Sequence, residues 1–299
     1  MPNQNSSLTT HDSRLTTPGL YIVGTPIGNL GDMSPRAVET LRDADLIAVE
    51  DTRVSGKLLA HFGIKTKMIP MHEHNEQGMV GKITDIIAGR RDAFGVQVLE
   101  GLIPGAAVAV ISDSGMPAIS DPGFRLVREC RTEGLPVFVV PGPTALISAL
   151  ALSGFPTDRF TFCGFLPSGD NARENALRND NKIRHTIIYY ESPNRVADTI
   201  AALSKIMPER RIAIVREITK LHEETIIGYP SELLNLKELK GEIVIVIEPA
   251  KDVKMSDDQI NEIVREVISN AQSTKSAATE IAHRTGISKS EAYERVIKK

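Results

Sequence analysis

Val110-Ile-Ser-Asp-Ser-Gly-Met-Pro-Ala-Ile-Ser-Asp-Pro-Gly123 is the stretch on which the fold turns. The apolar run 108–111 reads as a buried strand, and it stops abruptly in a loop of Ser, Asp, Gly and Pro. A loop of that composition at a strand end presents backbone N–H groups, hydroxyls and carboxylates to a small ligand. Three other segments repeat the plan: 20–23 runs into Gly24-Thr-Pro-Ile-Gly-Asn-Leu-Gly31, 46–49 into Glu50-Asp-Thr-Arg53, and 137–140 into Pro141-Gly-Pro-Thr144. Four such strands predict one parallel sheet whose carboxyl edge forms a binding crevice.

Around this core the chain alternates strand, Gly/Pro loop and helix, which predicts a three-layer α/β sandwich. Ser34-Pro35 reads as an N-cap followed by proline at the first helical position, and 123–133 as a helix closed by Gly134. After a helix over 144–153 the pattern changes. Runs at 161–165, 186–190, 211–215, 224–228 and 242–247 read as strands, with a helix at 194–205. Their short connections predict a second, mixed sheet with antiparallel pairs. The expected division is a disordered tail at 1–17, an N-terminal parallel-sheet, Rossmann-like domain at 18–142, a C-terminal mixed-sheet α/β domain at 143–250 and a helical extension at 251–299. In that extension, helices at 256–269, 276–283 and 288–298 flank the turn Thr285-Gly-Ile287, and Ser288 with Glu291 is a capping-box signature. It reads equally as a helix-turn-helix unit or as a small bundle without a ligand.

Composition narrows the function classes. With 299 residues, 41% of them hydrophobic, the chain can fill two cores. No apolar run approaches the roughly 20 residues of a membrane helix, and 1–17 has no apolar block of a secretory leader. Cys130 and Cys163 lack metal-ligand spacing, so reduced thiols and a cytoplasmic location are expected. A net charge of −3 excludes nucleic-acid attraction spread over the whole surface, so a polyanion must meet a patch. The Gly24/Gly28/Gly31 loop is not a dinucleotide fingerprint, and no Walker-type phosphate loop occurs. His72-Glu-His74 lacks a third matched ligand and reads as a polar segment, with no metal expected.

Gly24-Thr-Pro-Ile-Gly-Asn-Leu-Gly-Asp32, Ala44-Asp-Leu-Ile-Ala-Val-Glu-Asp-Thr-Arg53, His72-Glu-His-Asn-Glu76 and the 112–123 loop resemble the ribosomal RNA small subunit methyltransferase I family. So do Pro141-Gly-Pro-Thr-Ala-Leu146, Gly164-Phe-Leu-Pro167, Tyr190-Glu-Ser-Pro193 and Arg216-Glu-Ile-Thr-Lys220. That family belongs to the tetrapyrrole (precorrin-like) methylase superfamily, and the motifs run in order from about residue 18 to 248. Met116 stands where the family usually has Thr, Asn194 where it usually has His, and 91–104 is longer than the usual connection.

The resemblance implies two α/β domains with S-adenosyl-L-methionine folded between them, and a homodimer. It further implies methyl transfer to the ribose 2′-hydroxyl of a cytidine in 16S rRNA, with free rRNA or the small ribosomal subunit as partner. The expected cofactor side is Gly24, Thr25, Pro26, Gly28 and Asn29, then Ser112, Asp113, Ser114, Gly115, Pro117, Ile119 and Ser120. Pro141, Gly142, Pro143, Thr144, Leu146 and Tyr190 complete it. Glu217, Lys220 and Glu191 are the expected catalytic groups. The lysine is either a base, if burial lowers its pKa, or a phosphate clamp. Arg53, Lys57, Arg173 and Arg195 are the expected RNA contacts. The rival readings are a tetrapyrrole methylase of the same fold and a non-enzymatic nucleic-acid-binding regulator.

Overall fold

The computed structural model describes residues 17–90, 105–236, 239–250, 257–271 and 273–298. The expected tail, apart from Thr17, and the long 91–104 connection lie outside these residues. Contacts divide the chain into two compact units, Met1–Pro249 and Ala250–Lys299.

The first half of the larger unit runs β1 (Gly19–Val23), α1 (Pro35–Asp43), β2 (Leu46–Val49), α2 (Thr52–His61), β3 (Met68–Pro70), α3 (Glu76–Ile87), β4 (Ala107–Ile111), α4 (Phe124–Thr132) and β5 (Val137–Val140). Its sheet has the order β3-β2-β4-β1-β5 with every ladder parallel. The four expected strands are all present, and the short β3 adds a fifth. All five residues of β4 are buried, as a strand covered on both faces requires. Leu41 and Leu59 pack on one face with Ile47 and Ala109, while Ile83 and Leu126 pack on the other with Leu46 and Val108. The three-layer sandwich follows. At the head of α1 the Ser34 hydroxyl accepts the Ala37 N–H at 3.1 Å, with Pro35 next to it.

The second half runs α5 (Ala145–Ser153), β6 (Phe160–Phe165), α6 (Asp170–Asp180), β7 (Thr186–Glu191), α7 (Val196–Ile206), β8 (Ile212–Arg216), β9 (Glu224–Gly228) and β10 (Ile243–Ile247). Its sheet, ordered β6-β7-β10-β8-β9, pairs β6 with β7 in parallel and the rest antiparallel, which is the mixed sheet expected. Leu177, Ile200 and Leu203 cover one face. On the other, Leu146, Ala149 and Leu150 of α5 meet Ile188, Val215 and Val244, and Ile27 from the loop after β1 is buried among them. That residue fastens the first sheet's edge to the second sheet's core.

The smaller unit contains α8 (Asp257–Asn270), α9 (Thr274–Thr285) and α10 (Lys289–Ile297) around Ile260, Val264, Ile281 and Ala292. Gly286, at φ 74°, ends α9. Ser288 caps α10 by accepting the Glu291 N–H at 3.1 Å, but the Glu291 carboxylate pairs with Arg295. Among the described residues no helix is long and apolar enough to cross a membrane.

Candidate functional site

Three of the strand-end turns are stitched together. The Gly24 N–H donates to the Val140 carbonyl, and the Thr25 N–H to the Gly115 carbonyl, both at 2.9 Å. Gly24 and Gly142 touch backbone to backbone: a Cβ added at Gly24 would lie 2.6 Å from the Gly142 Cα. The turn after β2 joins through the Asp51 N–H, which donates to Asp113 at 3.2 Å. The His72–Glu76 motif supports this edge from behind. Glu76 is buried, and its carboxylate accepts the N–H groups of Gly123 and Arg125 at 2.9 and 3.1 Å, capping α4 where the 112–123 loop ends.

Above this floor lies a cleft of about 180 Å³. Ser114, Gly115, Met116, Ile119, Ser120 and Asp121 line it from the loop after β4, and Ile27 from the loop after β1. Thr144, Ala145 and Leu146 line it at the head of α5, and Phe165, Tyr190, Glu242, Ile243 and Val244 from the second sheet. Apolar walls with a few convergent polar groups suit a small organic ligand. Among the described residues, four non-glycine residues hold left-handed backbone: Ala118 (φ 69°), Ser120 (62°), Glu217 (51°) and Thr219 (68°). All four lie in the two loops that follow β4 and β8. Such backbone costs about 1–3 kcal/mol per residue and collects at functional sites.

The two sides of the cleft differ in charge. On the first sheet's edge, burial and then the neighbouring Asp113 raise the Glu50 carboxyl, and burial raises Asp113 itself. Burial, followed by the nearby Glu50, pushes Asp121 up to about 6. Arg53 instead hydrogen-bonds Asp51 and holds it down to about 2. On the second sheet's side, the Lys220 ammonium lies 2.9 Å from Glu217 and 3.1 Å from Glu242, its stem against Gly28. Burial opposes the lysine's charge, but its hydrogen bonds to the two carboxylates outweigh that, and its pKa is raised. Lys220 is therefore protonated at neutral pH, which disfavours the base role and fits the clamp.

Residues 19–234 match the family described as Tetrapyrrole (Corrin/Porphyrin) Methylases. A Pasteurella multocida protein named Ribosomal RNA small subunit methyltransferase I is 42% identical over 287 residues, covering 92% of this chain and 95% of its own. Its Haemophilus influenzae namesake is 41% identical over 286 residues, with the same coverage. The chain belongs to the ribosomal RNA small subunit methyltransferase I family. A third member, from Thermotoga maritima, is 42% identical over 233 residues that make up 97% of its length. This methyltransferase I family chain shares its fold with more distant structures. A conserved hypothetical protein from Aeropyrum pernix K1 superposes with a TM-score of 0.60 at 14% identity, over 94% of this chain and 95% of its own. A diphthine synthase does so at 0.56 and 12%, over 77% and 89%.

The structure brings some of the motif residues expected for this methyltransferase I family to the cleft and places others elsewhere. Ser114, Gly115, Ile119, Ser120, Thr144, Leu146 and Tyr190 line it. Gly24, Thr25, Pro26, Ser112 and Pro117 are buried beneath as its floor. Asn29 caps a single 3-10 turn by accepting the Gly31 N–H at 2.9 Å. Asp113 holds Asp51, and Pro141, Gly142 and Pro143 form the turn into α5. Arg53 and Lys57 are exposed on α2.

Three expected site residues are engaged within the fold instead. Glu191 is buried and bonded to Arg195 at 2.7 Å, the Thr199 hydroxyl at 2.7 Å and the Ser192 N–H at 2.8 Å, so its carboxylate anchors α7 and does not line the cleft. Arg173 is only 2% exposed and is engaged by Asp170 and the Ser168 carbonyl, so it presents no charge to a phosphate. Arg195 likewise spends its guanidinium on Glu191, the Ser192 hydroxyl and the Leu166 carbonyl. The sequence departures fall differently. Met116 is a cleft wall, and Asn194 is exposed in the turn before α7. The cleft residues not foreseen are Ile27, Asp121, Ala145, Phe165, Glu242, Ile243 and Val244.

Proposed function

We propose that this chain is an S-adenosylmethionine-dependent methyltransferase acting on the ribose 2′-hydroxyl of a cytidine in 16S rRNA. The observation that carries the reading is one cleft with the half-buried Asp121 on one wall and, on the other, Glu242 ion-paired to the charged Lys220. The names of the relatives support rRNA as the acceptor.

The residues present fit the cofactor. Burial and neighbouring carboxylates raise Glu50, Asp113 and Asp121, and a cation bound beside them would favour their charged forms. The apolar walls at Ile27, Met116, Ile119 and Leu146 suit a flat, partly hydrophobic body. When bound, S-adenosylmethionine supplies an electrophilic methyl carbon beside a sulfonium. The chain's own contribution is placement. The rigid floor and the strained loops hold donor and acceptor in line, and orientation of this kind is worth roughly 7–11 kcal/mol. Lys220 sets positive charge where the 2′-oxygen gains negative charge as its proton leaves. Glu217 holds the ammonium in place, and Glu242, the carboxylate of the three that lines the cleft, is the group assigned to take the proton.

The same reading gives the chain a cytoplasmic location and a homodimeric state. For the dimer, β5 is an unpaired edge with Phe138 37% and Val139 54% exposed, and Ile147 and Leu152 stand exposed on the following α5. The 251–299 extension is assigned to gripping structured RNA, through the helix-turn-helix arrangement of α9 and α10.

The alternative is methylation of a small tetrapyrrole, as the fold's wider family does. Labelled S-adenosylmethionine, incubated with small ribosomal subunits lacking the modification or with a precorrin-type macrocycle, separates the two. Label in the ribose of one rRNA cytidine is the expected result, and label confined to the macrocycle overturns the assignment.

A further inference from the structure

β6 lies at the edge of the second sheet, and its pairing with β7 shifts register between Phe162 and Phe165. Gly164 sits in the shift at φ 68°, a left-handed conformation that side-chain-bearing residues rarely adopt. Bulges of this kind re-aim a side chain, and the one re-aimed here is Phe165. Its ring lines the cleft yet is 55% exposed, so it stands at the mouth. Tyr190 braces one side, with ring centroids 5.5 Å apart and planes inclined by 59°. Phe162 in turn braces Tyr190, edge-on at 4.8 Å.

Phe165, Tyr190 and Val244 are cross-strand partners over β6, β7 and β10, and all three line the cleft. They form the wall that also carries Glu242, opposite the loop with Asp121. Single exposed apolar residues are ordinary on protein surfaces. A ring supported from behind, held at a cleft mouth by a glycine-dependent bulge, is a built feature.

The geometry points to Phe165 as the platform on which the heterocyclic base of the acceptor nucleotide stacks while its ribose enters the cleft, an assignment that rests on the RNA-methylating reading above. Every nucleobase has a π-face, and a base that stacks on an aromatic side chain is held without hydrogen-bond readout. Stacking places the sugar beside Lys220 and Glu242 and leaves the donor to the opposite wall.

The chain contains no tryptophan, so Phe165→Trp creates a unique reporter. Labelled with 5-hydroxytryptophan, it can be excited apart from ribosomal tryptophans. Small ribosomal subunits lacking the methyl group are expected to quench its emission, and S-adenosylhomocysteine alone is not. Phe165→Leu, which keeps bulk but removes the π-face, is expected to lower kcat/KM for subunits roughly ten- to hundred-fold. Its calorimetric affinity for S-adenosylhomocysteine should stay unchanged, and Phe165→Trp should retain transfer. Quenching by S-adenosylhomocysteine alone, or cofactor affinity lost in Phe165→Leu, assigns the ring to the donor and overturns the proposal. Unaltered kcat/KM in Phe165→Leu, beside an active wild-type chain, removes the platform but leaves the RNA reading intact. A wild-type chain that methylates no subunit removes both.

Discussion

Lys220 reaches back three residues to place its ammonium 2.9 Å from Glu217, a residue whose own backbone is left-handed at φ 51°. Strained backbone and ion pair fix one another, and Glu242 completes the arrangement from the second sheet. A lysine so held arrives charged. Lys220→Ala is therefore expected to lower kcat roughly hundred-fold, in the range seen when one charge-stabilising donor is lost. The pH–rate profile should keep its shape below pH 9. Loss of the ascending, acid-limb pKa in single-turnover methylation of small subunits would restore the base role.

Gly241 lies across from this cluster at φ 88°, and a Cβ added there collides with the Glu217 carboxylate. Gly241→Ala is expected to reduce kcat by displacing Glu217 and Lys220 together, while calorimetric cofactor affinity stays within about two-fold. Equal losses in affinity and turnover would show that the loop serves the donor instead.

Asp121 titrates near pH 6 rather than at its usual 3.8. A carboxyl raised in the folded state favours folding while protonated, and that contribution disappears as pH rises through about 6. Asp121→Asn is thus expected to raise Tm over wild type at pH 8 and to leave it equal near pH 3.5. It should also weaken S-adenosylmethionine binding at pH 8 and flatten its dependence on pH between 5 and 7. A Tm difference that stays the same at both pH values would show that the carboxyl does not titrate as described.

For Glu191, stability is the quantity at stake. Removing one partner of a buried pair costs 3–5 kcal/mol, and the partial exposure of Arg195 discounts this to about 2–4 kcal/mol for Glu191→Ala. Methyl transfer per folded molecule should not change. Denaturant unfolding beside a specific-activity measurement checks both halves, and a stable but inactive variant would return Glu191 to the chemistry.

Loss of the 251–299 extension is expected to raise the KM for small ribosomal subunits several-fold at 0.15 M salt, with cofactor affinity unaltered. The larger unit makes its own compact set of contacts and is expected to fold without the extension. An unchanged KM would assign the helices another purpose.

The sheets are legible because β1, β2, β4, β7, β8 and β10 are continuous apolar runs ending in turn residues. By contrast β3 is three residues ending in a proline, too short to register as a run. α6 reads as largely polar, since Leu177 is its one large apolar residue and its other buried side chain is Arg173. Residue type explains the misplaced charges: Glu191 and Arg173 look like surface groups until their partners, brought by α6 and α7, come into view. Glu242 was missed for a topological reason. It stands just before β10, and its place in the cleft depends on that strand inserting between β7 and β8. Phe165 was hidden for a similar reason, because period-two alternation does not announce a bulge.

Gly24 and Gly142 leave no room for even a methyl group where the turns after β1 and β5 cross. At that crossing the bottom of the hollow is main chain, and substitution has no side chain there to vary. Its sides are side chains, replaceable one by one. A chain of this architecture can therefore change what it accepts by redecorating the sides while that crossing stays fixed.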